Sequence, residues 1–392
     1  MPSPLTVLIT CRELVHFAGS QTYTRDVAEV LRALGHAPVV YSPRLGEVAD
    51  DLRRRGVAVV DDLDRLGAPP DVIHGQHQFE AMAAMLRFPR APAVFVCHGW
   101  LPWQEAPPSF PSLLRYVAVD ALRRDRLVLE HGVAPGAVEV LPNFVDVERL
   151  APRRTLPERP RRALLFSNEA PERGGWTEAV AAACAAVGVA LDVVGLRSGR
   201  PAAAPESLLG GYDLVFARGR GALEAMAVGA AVVLCGVEGM GPMVTSDGFA
   251  ALRDANFGLL ALRPPVEAAA LRREIERYDP ADVVRLRDRV RDEHDRRSGV
   301  RRLVELYREV IAAVDRGGWS ADHSERCLRD AARFCAAVLP RVEDAGAAQR
   351  AAASEERLEA LQRTALMRWR GRLLRVRPLV AAYRRLKGLP ES

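Results

Sequence analysis

Residues 218–235 read Arg-Gly-Arg-Gly-Ala-Leu-Glu-Ala-Met-Ala-Val-Gly-Ala-Ala-Val-Val-Leu-Cys. The apolar run Leu214–Phe216 enters this glycine-rich turn. A helix opens near Gly221, carries Glu224 in its first turns and stops at Gly229, and Ala230–Leu234 reads as the next buried strand. Strand, turn, helix and strand make one unit of a parallel sheet, whose ligands sit beyond the carboxyl ends of the strands. Open N–H groups and the positive dipole end of such a helix favour an anion. Arg218 and Arg220 add charge, Gly219 and Gly221 form the turn, and Glu224 can accept hydrogen bonds from sugar hydroxyls. The set suits a phosphorylated sugar. An ordinary βαβ turn with a surface Arg–Glu pair shares the same spacing.

The 392 residues are 49% hydrophobic, which suits two domains with proper cores plus additions. No apolar run reaches the roughly 18 residues that a spanning helix needs. Val7–Thr10 is only strand length and follows no basic segment, so no signal peptide is expected. The six cysteines are scattered without a C-x-x-C pair, which predicts free thiols in a reducing compartment and no metal site. Lys387 is the single lysine against 54 arginines, as in a GC-biased bacterial genome. Residues 363–388 hold nine basic side chains and no acid, so the +5 net charge becomes −4 (46 basic against 50 acidic) without them. A mildly acidic body argues against nucleic acid as a partner.

Short apolar runs alternate with helical segments from Thr6 to Leu141, the pattern of a doubly wound parallel sheet. The Pro/Arg-rich segment 151–162 reads as a linker. A second α/β run follows, then charged helices over 265–315. The expected division is a Rossmann-like domain over 1–150, the linker 151–162, a second Rossmann-like domain over 163–315 and a helical extension over 316–392. Within that extension, 321–338 and 343–365 read as surface helices broken at Pro340. Gly239–Pro242 reads as a loop.

Residues 216–235 resemble the nucleotide-sugar signature of the retaining GT-B glycosyltransferases of the "group 1" family, glycosyltransferase family 4. That signature has two glutamates separated by seven residues, then an Ala-Met-Ala-x-Gly helix. Glu224 matches the second glutamate, whereas Phe216 stands at the first. Phe17-Ala18-Gly19-Ser20-Gln21 resembles the family's Gly-Gly-x-Glu loop, with Ala18 for a glycine and Gln21 for the glutamate. Asp71–His77, with His74 and His77 at its end, resembles the family's D-V-(I/V)-H-x-H strand end. His98 ends the strand whose histidine lies near the donor sugar in relatives. Asp120 takes a serine position, and Leu141–Asp146 resembles I-P-N-G-V-D with Phe144 for the glycine. Asn168 stands where relatives grip the diphosphate with arginine, and Arg173-Gly174 matches their Lys-Gly. Arginine forks onto phosphate bidentately, so that exchange keeps the chemistry.

The resemblance implies a GT-B fold of two Rossmann-like domains facing a cleft, with a helical tail. It also implies sugar transfer from a nucleotide-diphosphate donor to a glycan or lipid-linked acceptor, with retention and without a metal. The residues carried over are Gly19, Gln21 and His98 around the transferred sugar. Asn168, Arg173, Arg218, Gly219, Arg220, Gly221 and Glu224 surround the donor. Two readings compete. The lost glutamate and arginine fit a non-catalytic GT-B binding module, and an epimerase or hydrolase uses the same fold.

Leu366, Trp369, Leu373, Val376, Val380 and Tyr383 recur at helical spacing among arginines, with Pro378 as a kink. An apolar stripe on a cationic helix suits an anionic membrane surface. A helix packed on protein has the same pattern. The expected location is the cytoplasm, peripheral to the inner face of the plasma membrane.

Overall fold

The computed structural model describes residues 3–99, 103–152, 155–202 and 204–362, with side chains through residue 344. The basic segment 363–388 lies outside them. The first half runs β1 (Thr6–Thr10), α1 (Gly19–Ala33), β2 (Ala37–Tyr41), α2 (Glu47–Arg54), β3 (Ala58–Val60), β4 (Val72–Gly75), α3 (Gln78–Arg87), β5 (Ala93–Cys97), β6 (Leu113–Ala118), α4 (Ala121–Asp125) and β7 (Val138–Val140). Its seven strands form one parallel sheet in the order β3-β2-β1-β4-β5-β6-β7. Central strands such as β5, with all five residues buried, are apolar on both faces because helices cover both.

The second half runs β8 (Arg162–Phe166), α5 (Trp176–Ala186), β9 (Ala190–Val194), α6 (Pro205–Leu209), β10 (Leu214–Ala217), α7 (Gly219–Val228), β11 (Ala231–Gly236), β12 (Gly239–Met243), α8 (Phe249–Asp254), α9 (Ala268–Ile275) and α10 (Pro280–Glu293). The sheet order is β12-β11-β10-β8-β9. The sheet is mixed rather than wholly parallel, because Gly239–Pro242, read as a loop, lies in β12, which pairs antiparallel with β11. A run of two glycines and a proline carries little strand propensity; the pairing follows from the tight turn after Gly236. Helix α7 ends in Gly229 with φ +89, the left-handed cap that glycine adopts freely.

Helix α11 (Arg296–Gly317) follows. The sequence division assigned it to the second domain, whereas its buried face (Val300, Leu303, Tyr307, Val310) packs into the first domain's core with Val7, Val27 and Val94. An amphipathic pattern shows that a helix buries one face without showing against which sheet. The chain therefore crosses between the halves twice. The crossings pair with each other: Val145 and Asp295 form a parallel bridge, with Val145 N donating to His294 O and Arg296 N to Val145 O.

The chain divides into a compact unit through Leu328 and a second unit from Arg329. Helix α12 (His323–Gln362) runs straight through Pro340 instead of breaking there. The ring removes one hydrogen bond, and alanine-rich turns on either side carry the helix past it. All six cysteines are free, five of them buried. Among the described residues no helix is long and apolar enough to cross a membrane.

Phe144, which departs from the family glycine, is buried beside Tyr23 with ring centroids 5.2 Å apart. Gly299 on α11 makes the room: a Cβ there would sit 2.3 Å from Phe144 Cδ1. Gly299→Ala should lower the unfolding free energy by about 1–3 kcal/mol through overpacking. Gly317→Ala on the same helix, with nothing within 4 Å, should be neutral or stabilising by up to about 1 kcal/mol. Chemical denaturation of both variants checks the contrast.

Candidate functional site

Helices α1 and α7, one from each half, bring their N-termini to a single cavity of about 350 Å³. Gly19, Asn168, Arg218, Gly219, Arg220, Gly221 and Glu224 all line it, joined by Arg25, Asp146, Arg149 and Glu169. The cavity lies beyond the carboxyl ends of β8 and β10, where a doubly wound sheet places its ligand. Gly219, at φ +56, lets the chain turn from strand into helix within one residue. Its N–H donates to Phe257 O at 2.8 Å. No side chain caps α7, so the next N–H groups have no partner inside the helix.

The arginines divide by how they are held. Arg220 is only 11% exposed, and each of its three nitrogens is engaged. Nε donates to Glu224 Oε1 at 2.9 Å, Nη1 to Phe144 O at 3.1 Å, and Nη2 to the buried Asp26 carboxylate on α1. Asp26 also meets Arg25 at 3.4 Å and Arg296 at 3.5 Å. Burial alone would raise the Asp26 carboxyl; the guanidinium groups of Arg220, Arg25 and Arg296 outweigh it and hold the group below the ordinary carboxylate range. Burial lifts Glu224 above its ordinary value despite Arg220. Arg220 was expected to grip a phosphate; the structure makes it a strut between the halves, because removing a buried pair's partner costs about 3–5 kcal/mol.

Arg218 is different. It is 31% exposed and rests on Glu169 at 2.8 Å and Glu238 at 3.1 Å. Exposed pairs of this kind contribute about 0–1 kcal/mol, so a phosphate can replace a carboxylate there. Arg149 bonds Glu29 at 3.1 Å and meets Asp146 at 3.3 Å, and its Nη1 is buried without a partner. Arg25 and Arg149 were missed from the sequence. The signal for Arg25 is a polar stripe (Thr22, Arg25, Asp26, Glu29) at helical spacing along a largely buried helix.

Asp26, Glu29 and Asp146 bring carboxylate oxygens within 4.8 Å of one another. Arg220, Arg296, Arg149 and Arg55 already neutralise them, with Arg296 at 2.5 Å from Glu29 and 2.9 Å from Asp146. That surrounding does not suit a cation.

Other expected residues sit elsewhere. Helix α1 begins at Gly19, so Gln21 is on the helix and turned inward, its Nε2 donating to Glu13 O at 3.1 Å; it does not face the cavity. His98 is half-buried, donates from Nε2 to Gln76 Oε1 at 2.9 Å, and stacks edge-on against Tyr23 at 4.4 Å. Burial, then His77 and His74, holds its imidazole well below the ordinary value and therefore neutral. It is not among the residues lining the cavity. Nor is Arg173, which is exposed in the loop after β8. Asn168 lines the cavity but also accepts from Leu196 N at 3.2 Å, tying the β8 and β9 loops together. Phe216 is fully buried within β10, among Leu165, Val233 and Leu271. The strand runs on to Ala217 and α7 starts at Gly219, so no loop exists here to carry a glutamate toward the cavity.

Residues 17–149 match the family model described as Glycosyltransferase Family 4. A glycosyltransferase from Rickettsia africae ESF-5 has a TM-score of 0.59 at 15% identity, covering 79% of this chain and 99% of that one. Anabaena Alr3699/HepE, in complex with UDP and glucose, has a TM-score of 0.56 at 16% identity over 77% of this chain and 99% of that one. No curated protein matches the sequence. Facing α/β halves and these likenesses define a GT-B fold. The likeness to Glycosyltransferase Family 4 is carried by the first domain, and the fold extends over both halves.

A buried histidine of the first domain sets an acid limit. His74 is fully buried, with Nδ1 2.6 Å from Tyr307 Oη of α11. Burial depresses its imidazole to about 3. A histidine with a depressed folded value binds fewer protons folded than unfolded. Its stabilisation is therefore complete above the ordinary value of 6.5 and is lost as pH falls toward 3, by about 1.4 kcal/mol per pH unit. Melting temperature should fall between pH 6.5 and 4.5, and His74→Gln should flatten that slope. Identical slopes would contradict the assignment.

Proposed function

We propose that the protein transfers a glycosyl group from a nucleoside diphosphate sugar to an acceptor in the cleft between its two α/β halves. The observation that carries this reading is the convergence of seven sequence-chosen residues on one cavity with the uncapped N-terminus of α7. A sugar complex of the same fold, Anabaena Alr3699/HepE with UDP-glucose, supports it. Arg218, Arg149 and the α7 N–H groups would stabilise the diphosphate as charge develops on the leaving oxygen. Glu224 keeps Oε1 on Arg220 and would offer its other oxygen to ribose hydroxyls. Retention and the absence of a metal cofactor rest on the family resemblance. The arginine-saturated acid cluster agrees with the second point.

The acceptor class we propose is a glycan or lipid-linked saccharide, reached from the cytoplasmic face of a membrane through the basic segment 363–388. That placement rests on the sequence pattern alone. A second reading has support of its own: Phe216 is buried in the sheet and Glu169 occupies Arg218, which fits a GT-B module that binds without chemistry. An epimerase or hydrolase would release or isomerise donor without acceptor.

A panel of nucleoside diphosphate sugars, read by thermal shift and calorimetry, separates these. The transferase reading predicts saturable binding by at least one donor. It also predicts a tenfold or greater loss of affinity in Glu224→Gln, since a hydrogen bond to a charged group contributes about 1.5–3 kcal/mol. Stabilisation by no donor would favour the binding module.

A further inference from the structure

Glu169 follows Asn168 in the loop after β8 and lines the same cavity as the α7 N-terminus. Its Oε2 lies 2.8 Å from Arg218 Nη2, the cation most open to the cleft. Arg218 is set in place by its surroundings. Its stem crosses the end of β11 over Gly236, where a Cβ would lie 2.8 Å from both Cδ and Nε. On the far side Glu238 Oε1 holds the same nitrogen at 3.1 Å. Glu238 is 25% exposed and Glu169 45%, so the second carboxylate is the freer of the two. Carboxylate and phosphate oxygens make the same demand on a guanidinium, a short charge-assisted hydrogen bond. One nitrogen with two carboxylates has an exchangeable partner and a fixed one.

We propose that Glu169 is an internal anion that occupies Arg218 in the free protein and competes with the donor's diphosphate for it. This rests on the donor reading above and names a residue that sets donor affinity. A diphosphate entering beside α7 displaces the Glu169 carboxylate into solvent. Glu238 stays and keeps the guanidinium aimed at the cleft. The residue thereby discriminates against weakly charged ligands: a neutral nucleoside gains nothing at Arg218, whereas a diphosphate gains the arginine and loses the pair it broke. Glu206 lines the same cavity and serves as a control for bulk charge.

The test is calorimetric titration of the full chain with inorganic pyrophosphate, UDP and uridine, comparing wild type with Glu169→Gln, Glu206→Gln and the double variant Arg218→Met/Glu169→Gln. Glu169→Gln should bind pyrophosphate and UDP about fivefold more tightly, with uridine affinity unchanged. Glu206→Gln should gain less than half as much, and the double variant should lose the gain. Binding by Glu169→Gln where wild type shows none also supports the proposal. Equal affinities in wild type and Glu169→Gln, or a gain that survives in the double variant, overturn it while leaving the donor reading intact. No binding of UDP or pyrophosphate by either protein overturns the proposal, and failure of every nucleoside diphosphate sugar in the panel overturns the donor reading as well.

Discussion

Arg220 and Asp26 meet across the boundary between the two α/β halves, and the geometry of the cleft depends on that contact. Asp26 is wholly buried on α1 and Arg220 nearly so at the start of α7. A charge removed from water is tolerable only with a close opposite charge and satisfied hydrogen bonds. Here the demand runs both ways. Asp26 draws Arg220, Arg25 and Arg296, and Arg220 in turn fixes Glu224 and the carbonyl of Phe144. Because Arg296 opens α11, the same cluster ties the return crossing of the chain to the first domain. The paired strands at Val145 and Asp295 complete a joint in which helix ends, linker and charges restrain one another.

That joint decides what the remaining charges can do. An arginine with every nitrogen bonded to a largely buried partner has little left to offer a ligand. The cleft's cationic chemistry therefore falls to the half-exposed Arg218 and to Arg149, with its open Nη1. Each stands against carboxylates: Glu169 and Glu238 on one, Asp146 and Glu29 on the other. The free cavity is close to neutral, and an anionic ligand binds there by exchange with carboxylates more than by long-range attraction. This differs from a cleft lined by one sign of charge, where the field itself raises the ligand's local concentration.

Much of the architecture was legible because burial on both faces leaves a plain mark. Val94–Cys97 and Ala231–Leu234 are continuous apolar runs of strand length, as expected of strands buried on both faces. The site motif was legible because glycine before an Ala-Met-Ala helix has few uses. Other features depended on contacts between distant residues. Nothing in the run 296–317 tells which sheet it covers, and nothing in Arg220 tells that Asp26, 194 positions away, consumes it. Phe144 looked like a departure until Gly299 supplied its space. Gln21 does not reach the cavity because α1 already begins at Gly19, which places Gln21 on the helix with its side chain turned inward.

The central claim is that the buried Asp26–Arg220 pair couples the halves energetically. A double-mutant cycle over wild type, Asp26→Asn, Arg220→Met and the double variant, by equilibrium unfolding, measures that coupling directly. The account predicts single losses of about 3–5 kcal/mol, each leaving the partner charge buried and unpaired. The double variant should lose less than the sum of the two by at least about 2 kcal/mol. Losses that add within about 0.5 kcal/mol would show that the two residues do not depend on each other, and would contradict it.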